Sequence, residues 1–477
     1  MADTLTALDA TFLELEQHDA GALMSIGGAM VFDPLPGGGV PRLEEVQSSL
    51  IDSLGLLPRY SQRLSSPRVG GMSWPQWVDD PTFDIDNHVY PAALPAPGDQ
   101  KELCRWMGEF FSHPLDRDRP LWQVVLVEGL AHGRWALVQK THHCLVDGVG
   151  SVDVLQLMLD REPHPWASAV AAPRFTPDEE TTVWEPLARA PQPLAQATAA
   201  GVRAARAGLH TALHPADALA RSRGLAELLV RDEIIGAPHT SLNVRIGRGR
   251  RIAIVRASVS ELKQIGHALG GSLNDAVLAA CTSGLRDLLL ARGERPPPRG
   301  LRAMVPVNLR DASEKLALGN RVSSLFVELP VAEPAALVRF KQIAATTRQL
   351  KSSDLPAGAD TFVEIAGLAP PILHAALARS TYATRLFNLT ITNVPGPQGP
   401  LYAHGARLRE VVPFVPLAAR HAVGIAVFSY DGELTFGISA DEATMPDLDG
   451  LAGAIREGID ELLALLPDHH HPTKTRS

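Results

Sequence analysis

Residues 135–150 read WALVQKTHHCLVDGVG. His142 and His143 stand side by side at the end of an apolar run, and Asp147-Gly148 comes four residues after the second histidine. Histidine titrates near neutral pH, so a neutral imidazole can take the proton of an alcohol as that alcohol attacks a carbonyl. Neighbouring strand residues point to opposite faces. One ring of the pair therefore projects into a cleft while the other packs or bonds behind it, and His143 is the one assigned to the cleft. Asp147 can hold the following loop by pairing with an arginine, and Gly148 lets the backbone turn closely. The competing reading is two satisfied core histidines ahead of an ordinary Asp-Gly turn. Asp431-Gly432, between two alternating runs, is read as such a hairpin turn, whereas Asp147-Gly148 is followed by helical spacing. Opposed ring directions and the lack of a third ligand argue against a metal site at the histidines. Cys144 diverges from His143 for the same reason and reads as a small packed residue, not a thiol nucleophile.

The elements around the pair follow from periodicity. Segments 24–34, 120–130 and 134–143 read as strands, the last two joined by a tight AHG, and 41–57 reads as a helix. Val152, Leu155 and Leu159 give 151–160 helical spacing. Residues 1–160 form one unit. Residues 161–235 are a Pro- and Ala-rich crossover linker followed by an Ala-rich stretch, 194–232, that reads as helix. Residues 236–468 again mix strands and helices: a strand at 250–257, a helix at 258–270 with Ser258 and Glu261 as a capping box and Gly270 at its end, and a longer helix from Leu273 to Ala291. Further strands are read in 301–310, 320–330, 386–397 and 421–439, and a last helix in 448–466. Residues 469–477 are read as a disordered tail.

At 477 residues, two domains are expected. A formal charge of −9 argues against a nucleic-acid partner. Cys104, Cys144 and Cys281 are scattered without paired spacing, which fits a reducing, cytoplasmic compartment. The N-terminus lacks the order of a signal peptide. No uncharged apolar run reaches the roughly 18 residues of a membrane span, so any contact with a membrane or a lipid droplet is expected to be peripheral.

HHCLVDG (142–148) matches the HHxxxDG signature of CoA-dependent acyltransferases and of condensation domains. Together with LDATFLELE (8–16), PLW (120–122), SLNDAVLAA (272–280), MVPVNLR (304–310), LGNRVS (318–323) and TNVPGP (392–397), it resembles the bacterial wax ester synthase/diacylglycerol acyltransferase family. The resemblance covers the chain except the linker and tail. It implies an α/β fold of two chloramphenicol-acetyltransferase-like domains, each a mixed β-sheet flanked by helices, with a tunnel between them. Long-chain acyl-CoA and an alcohol, either diacylglycerol or a long-chain fatty alcohol, would meet at His143, the base. No acyl-enzyme and no cofactor are implied, acyl-CoA being a substrate. An Asp147–Arg310 ion pair would fix the histidine loop. Asn274, near the positive end of a helix, could bind substrate or an oxyanion, or be a buried amide bonded to backbone. Asp275 completes a capping box with Ser272. Pro120, Leu121 and Trp122 read as rigid packing beneath the site. Two rival readings stay open: an enzyme that takes its acyl group from a carrier protein, and a non-catalytic lipid-surface protein using the 194–232 helix.

Overall fold

The computed structural model describes residues 5–54, 57–65, 75–145, 159–163, 236–308, 322–351 and 386–466. Asp147, Gly148 and Arg310 lie outside these residues, and with them the expected ion pair. So do most of the helix read at 151–160, the whole of the 194–232 stretch and the tail.

Two six-stranded mixed sheets organise the described residues. In the first, β1 (Ser25–Phe32) lies antiparallel to β6 (Trp135–His142), which is antiparallel to β5 (Trp122–Glu128), and β4 (Val89–Ala93) adds parallel to β5. Beyond β1 the sheet continues with β12 (Ala406–Phe414) and β11 (Tyr402–Ala403). These last two strands come from far along the chain, so the sheets are not divided as simply as the two halves of the sequence. A separate short pair, β2 (Gln62–Leu64) and β3 (Trp77–Asp79), lies to one side.

Strand β6 is buried along its whole length: its first half, WALV, runs apolar instead of alternating, and its second half, QKTH, buries polar side chains. Trp135 and Leu137 enter the core shared with α2 (Leu43–Leu54). Ala136 and Val138 enter a second core with α3 (Gln100–Phe111) and with Ile252 and Ile254. Those isoleucines belong to β7 (Arg250–Ser258), the edge strand of the other sheet. The approach of α3 to β7 depends on Gly108, where a Cβ would lie 2.4 Å from the carbonyl oxygen of Arg250. Arg250 itself is buried and donates to Gly247 O at 2.8 Å, to Gly249 O at 3.0 Å and to Gly21 O, tying the segment before β1 to the one before β7.

The second sheet has the order β7, β14 (Glu433–Asp441), β13 (Val423–Tyr430), β10 (Leu389–Pro395), β8 (Leu301–Asn308), β9 (Val322–Leu329). Strands β13 and β14 form the expected hairpin: Asp431 at φ 47° and Gly432 at φ 85° fit a turn with two left-handed centres. α4 (Val259–Leu269) has its Ser258–Glu261 capping box and ends on Gly270 at φ 79°, as the sequence indicates. α5 (Leu273–Ala291) is buried from Asp275 through Leu285. It is covered by α6 (Ala336–Lys351) and α7 (Leu448–Leu463), with Gly284 against Ile455 and Gly458 against Ser283.

Candidate active site

The histidine pair is built from the end of β6 and from α1 (Ala7–His18), a helix that periodicity did not mark. Thr6 caps it, its hydroxyl accepting the N–H of Asp9. Phe12 and Glu16, one turn apart, lie on one face of this helix, and both reach the pair.

His142 is sealed, 1 % exposed. Its backbone N–H donates to Leu121 O at 2.9 Å. Its Nδ1 accepts the N–H of Cys144 at 3.1 Å, and its Nε2 stands 3.2 Å from Oε2 of Glu16. A nitrogen that accepts carries no hydrogen, so the neutral ring holds its hydrogen on Nε2 and donates to the carboxylate. Glu16 also accepts the N–H of Met24 at 2.9 Å, and Arg117 Nη2 lies 3.7 Å from its other oxygen. Burial pushes this carboxyl up, but the bond from His142, the Met24 amide and Arg117 outweigh burial and hold it below the usual glutamate range.

His143 is placed differently. It is half-buried, its backbone N–H donates to Met24 O at 2.8 Å, and its ring stacks on Phe12 with centroids 4.0 Å apart and planes 15° apart. Phe12 packs with Leu15, Ala22 and Met24 and with Ala419. The ring thus lies at a seam where the first 24 residues meet the segment before β13, while His142 is bonded behind it, as the two-face argument expects. Cys144 is fully buried, and burial pushes its thiol well above the ordinary range, so it is no nucleophile at neutral pH.

Lys140, two residues before His142, is 1 % exposed. Its ammonium donates to Phe110 O at 2.8 Å and to His113 O at 3.2 Å, capping the end of α3, and lies 4.0 Å from the Phe110 ring centroid. Burial pushes its pKa down to about 8, against the pull of Glu16.

Pro120, Leu121 and Trp122 behave as packing. All three are buried, and β5 begins only at Trp122. The Leu121 carbonyl holds the His142 amide. The Trp122 indole N–H donates to Tyr60 O at 2.6 Å, and its ring stacks on His88 with centroids 4.6 Å apart.

Asn274 and Asp275 open α5 in the other half. Asp275 Oδ2 accepts from both the N–H and the hydroxyl of Ser272 at 2.7 Å, completing the expected box, and Oδ1 accepts from Thr347 of α6 at 2.6 Å. The Thr347 bond adds a helix-to-helix tie that a capping pattern does not reveal. Asn274 is half-buried, and its Oδ1 accepts from Asn393 Nδ2 at 3.4 Å on β10. That bond joins two of the sequence motifs, the Asn-Asp pair and TNVPGP, and its partner is a side chain and not the backbone.

The sequence reading missed Phe12, Glu16 and Met24. Glu16 could have been found as an acid at helical spacing from a phenylalanine within LDATFLELE. Among the described residues no group of three or more His, Cys, Asp or Glu side chains could hold a metal ion, and no helix is long and apolar enough to cross a membrane.

The fold is that of two-sheet acyl-transfer proteins with chloramphenicol-acetyltransferase-like domains. The structure is similar to a wax ester synthase/diacylglycerol acyltransferase from Marinobacter aquaeolei VT8, with TM-score 0.66 and 26 % identity over 96 % of this chain and 98 % of that one. It is similar in fold to a mutant starter condensation domain of rhizomide synthetase, in complex with C8-CoA and Leu-SNAC, at TM-score 0.62 and 15 % identity over 100 % of this chain and 97 % of that one. The sequence matches the wax ester synthase/diacylglycerol acyltransferase catalytic domain over residues 5–277 and the C-terminal domain of the same family over 318–463. A probable diacylglycerol O-acyltransferase of Mycobacterium tuberculosis H37Rv is 32 % identical over 472 residues, 97 % of this chain and 96 % of that protein. The chain belongs to the wax ester synthase/diacylglycerol acyltransferase family, and it is an O-acyltransferase.

Proposed function

We propose that this protein moves a long-chain acyl group from CoA to the hydroxyl of diacylglycerol or of a long-chain fatty alcohol, with His143 as general base. The observation that carries the reading is the inequality of the two histidines: one sealed and bonded at both ring nitrogens, the other stacked on Phe12 at the seam of the two halves. The alcohol gives its proton to His143 as its oxygen attacks the thioester carbonyl, and the thiolate of CoA leaves and takes up a proton. A tunnel along the seam would bring the two substrates to the ring from opposite sides. No acyl-enzyme forms, since the adjacent thiol is buried and held protonated. Asn274, at the positive end of α5, is the candidate to bind the thioester oxygen. Asp147 and Arg310 would brace the loop after the histidines. No cofactor takes part in this scheme, and contact with membranes or lipid inclusions is peripheral.

The test is purified protein with palmitoyl-CoA and either diacylglycerol or hexadecanol, following CoA release and separating the lipid products. General-base help contributes about 10²–10⁴-fold, and His143→Ala is expected to lose that factor. Full activity in that variant overturns the mechanism. A donor bound to a carrier protein is the alternative, and it has only a distant fold likeness behind it. Turnover of free palmitoyl-CoA discriminates the two.

A further inference from the structure

We propose that Glu16 is the positioning residue of the histidine pair: one buried carboxylate sets the tautomer of His142 and the backbone seat of His143. The inference rests on His143 being the base.

Glu16 is 8 % exposed at its side chain. Its Oε2 receives two donors, His142 Nε2 at 3.2 Å and Met24 N–H at 2.9 Å. Each leads to His143 by a short path. Through His142, the carboxylate fixes hydrogen on Nε2 and leaves Nδ1 bare to accept the Cys144 N–H, which closes the turn in which His143 is the middle residue. Through Met24, the same oxygen anchors the residue whose carbonyl accepts the His143 N–H at 2.8 Å. One helical turn earlier on α1, Phe12 stacks on the His143 ring. Helix α1 therefore holds His143 by its backbone on one side and by its ring on the other. A protonated His142 would turn Nδ1–H toward Cys144 N–H, donor against donor, and open the turn.

The charged and titratable groups facing Glu16 are His142 and Lys140 from β6, Cys144 after it, and Arg117 from the segment before β5. Against burial, the His142 bond, the Met24 amide and Arg117 hold this carboxyl below the usual glutamate range, so its role as acceptor persists through the neutral range in which His143 is to work.

Glu16→Gln keeps the shape but removes the charge: its one oxygen can still meet both donors, as a neutral acceptor and with its N–H₂ set against Arg117 Nη2. The neutral His142 ring then loses the charge-assisted hold on its Nε2 hydrogen, shifts toward the Nδ1 tautomer, and the turn loosens. A misplacement of about 1 Å at a reacting group costs on the order of 10²-fold in rate, and a loss of that size in kcat with little change in KM for palmitoyl-CoA is expected. Glu16→Asp keeps the charge one methylene short and should recover part of the loss. The signature that a merely structural role would not produce is the tautomer. In full-length protein with ¹⁵N-labelled histidine, His142 should show hydrogen on Nε2 in the wild type and an altered tautomer in Glu16→Gln. Wild-type kcat together with an unchanged His142 spectrum in Glu16→Gln overturns the inference. If Glu16→Gln does not fold, the same pair of readings on Glu16→Asp decides: lowered kcat with a perturbed His142 signal supports it, and neither change overturns it. His143→Ala separates this from the underlying mechanism: an active His143→Ala refutes the base, whereas an inactive His143→Ala beside a fully active Glu16→Gln refutes only the role of Glu16.

Discussion

Asp275 sits in a motif with Asn274, and its geometry predicts a stability role that activity measurements can separate from chemistry. Replacing it by alanine removes three bonds from a side chain only 5 % exposed: the two to Ser272 and the one from Thr347. Loss of an N-terminal cap costs about 1 kcal/mol. The Thr347 bond, to a charged acceptor and buried, contributes roughly 1.5–3 kcal/mol. The total is about 2.5–4 kcal/mol, which for a unit of 150–250 residues lowers the melting temperature by roughly 5–16 °C. Thr347→Val, which removes only the tie between α5 and α6, should lose the larger part of that, about 1.5–3 kcal/mol. The double variant should be no worse than Asp275→Ala, since neighbours in one network do not add. The assay is thermal melting followed by near-UV circular dichroism, with CoA release measured at 15–20 °C (roughly the stability maximum of an ordinary domain), where every variant is folded. Expected is a kcat within a few-fold of wild type for all three. A melting temperature unchanged in Asp275→Ala, together with a kcat lower by 10²-fold or more, would refute the cap reasoning and place the carboxylate against the substrate.

Two further outcomes follow from the packing. Lys140 has its pKa pushed down to about 8 by burial, so between about 8 and the usual lysine value near 10.4 the unfolded chain binds the proton more tightly. Stability relative to Lys140→Met should therefore rise with pH across that window, by up to about 3 kcal/mol, and parallel denaturation curves from pH 7.5 to 10.5 would count against a buried ammonium. Gly108→Ala puts a methyl 2.4 Å from the Arg250 carbonyl. Overpacking of this kind costs about 1–3 kcal/mol, and a urea midpoint equal to wild type would show that α3 is not held against β7.

Much of the site was readable because its information is local. The strand ahead of the histidines, the capping boxes at Ser258 and Ser272, and the Asp431-Gly432 turn each depend on a few neighbouring residues, and each is where periodicity and side-chain chemistry put it. His142 and His143 meet different surroundings because β6 ends between them: His142 is its last residue and His143 opens the turn. Helix α1 was not readable in this way. Its residues are split between a buried carboxylate, an aromatic wall and a seam, so it lacks one clean apolar stripe. Helices α3 and α6 went unassigned as well.

The sequence by itself determined the kind of chemistry, through the motifs by which it resembles its family, and that the thiol beside the His143 imidazole would be packed away. Only the tertiary structure decided what surrounds that imidazole. Strands 402–414 cross into the first sheet, Arg250 ties the loop at Gly21 to the strand at 250, and Glu16 reaches a histidine 126 residues further on. Contacts between distant residues are chosen by how whole sheets and helices fit together, and the local pattern carries no trace of which donor a buried carboxylate will find.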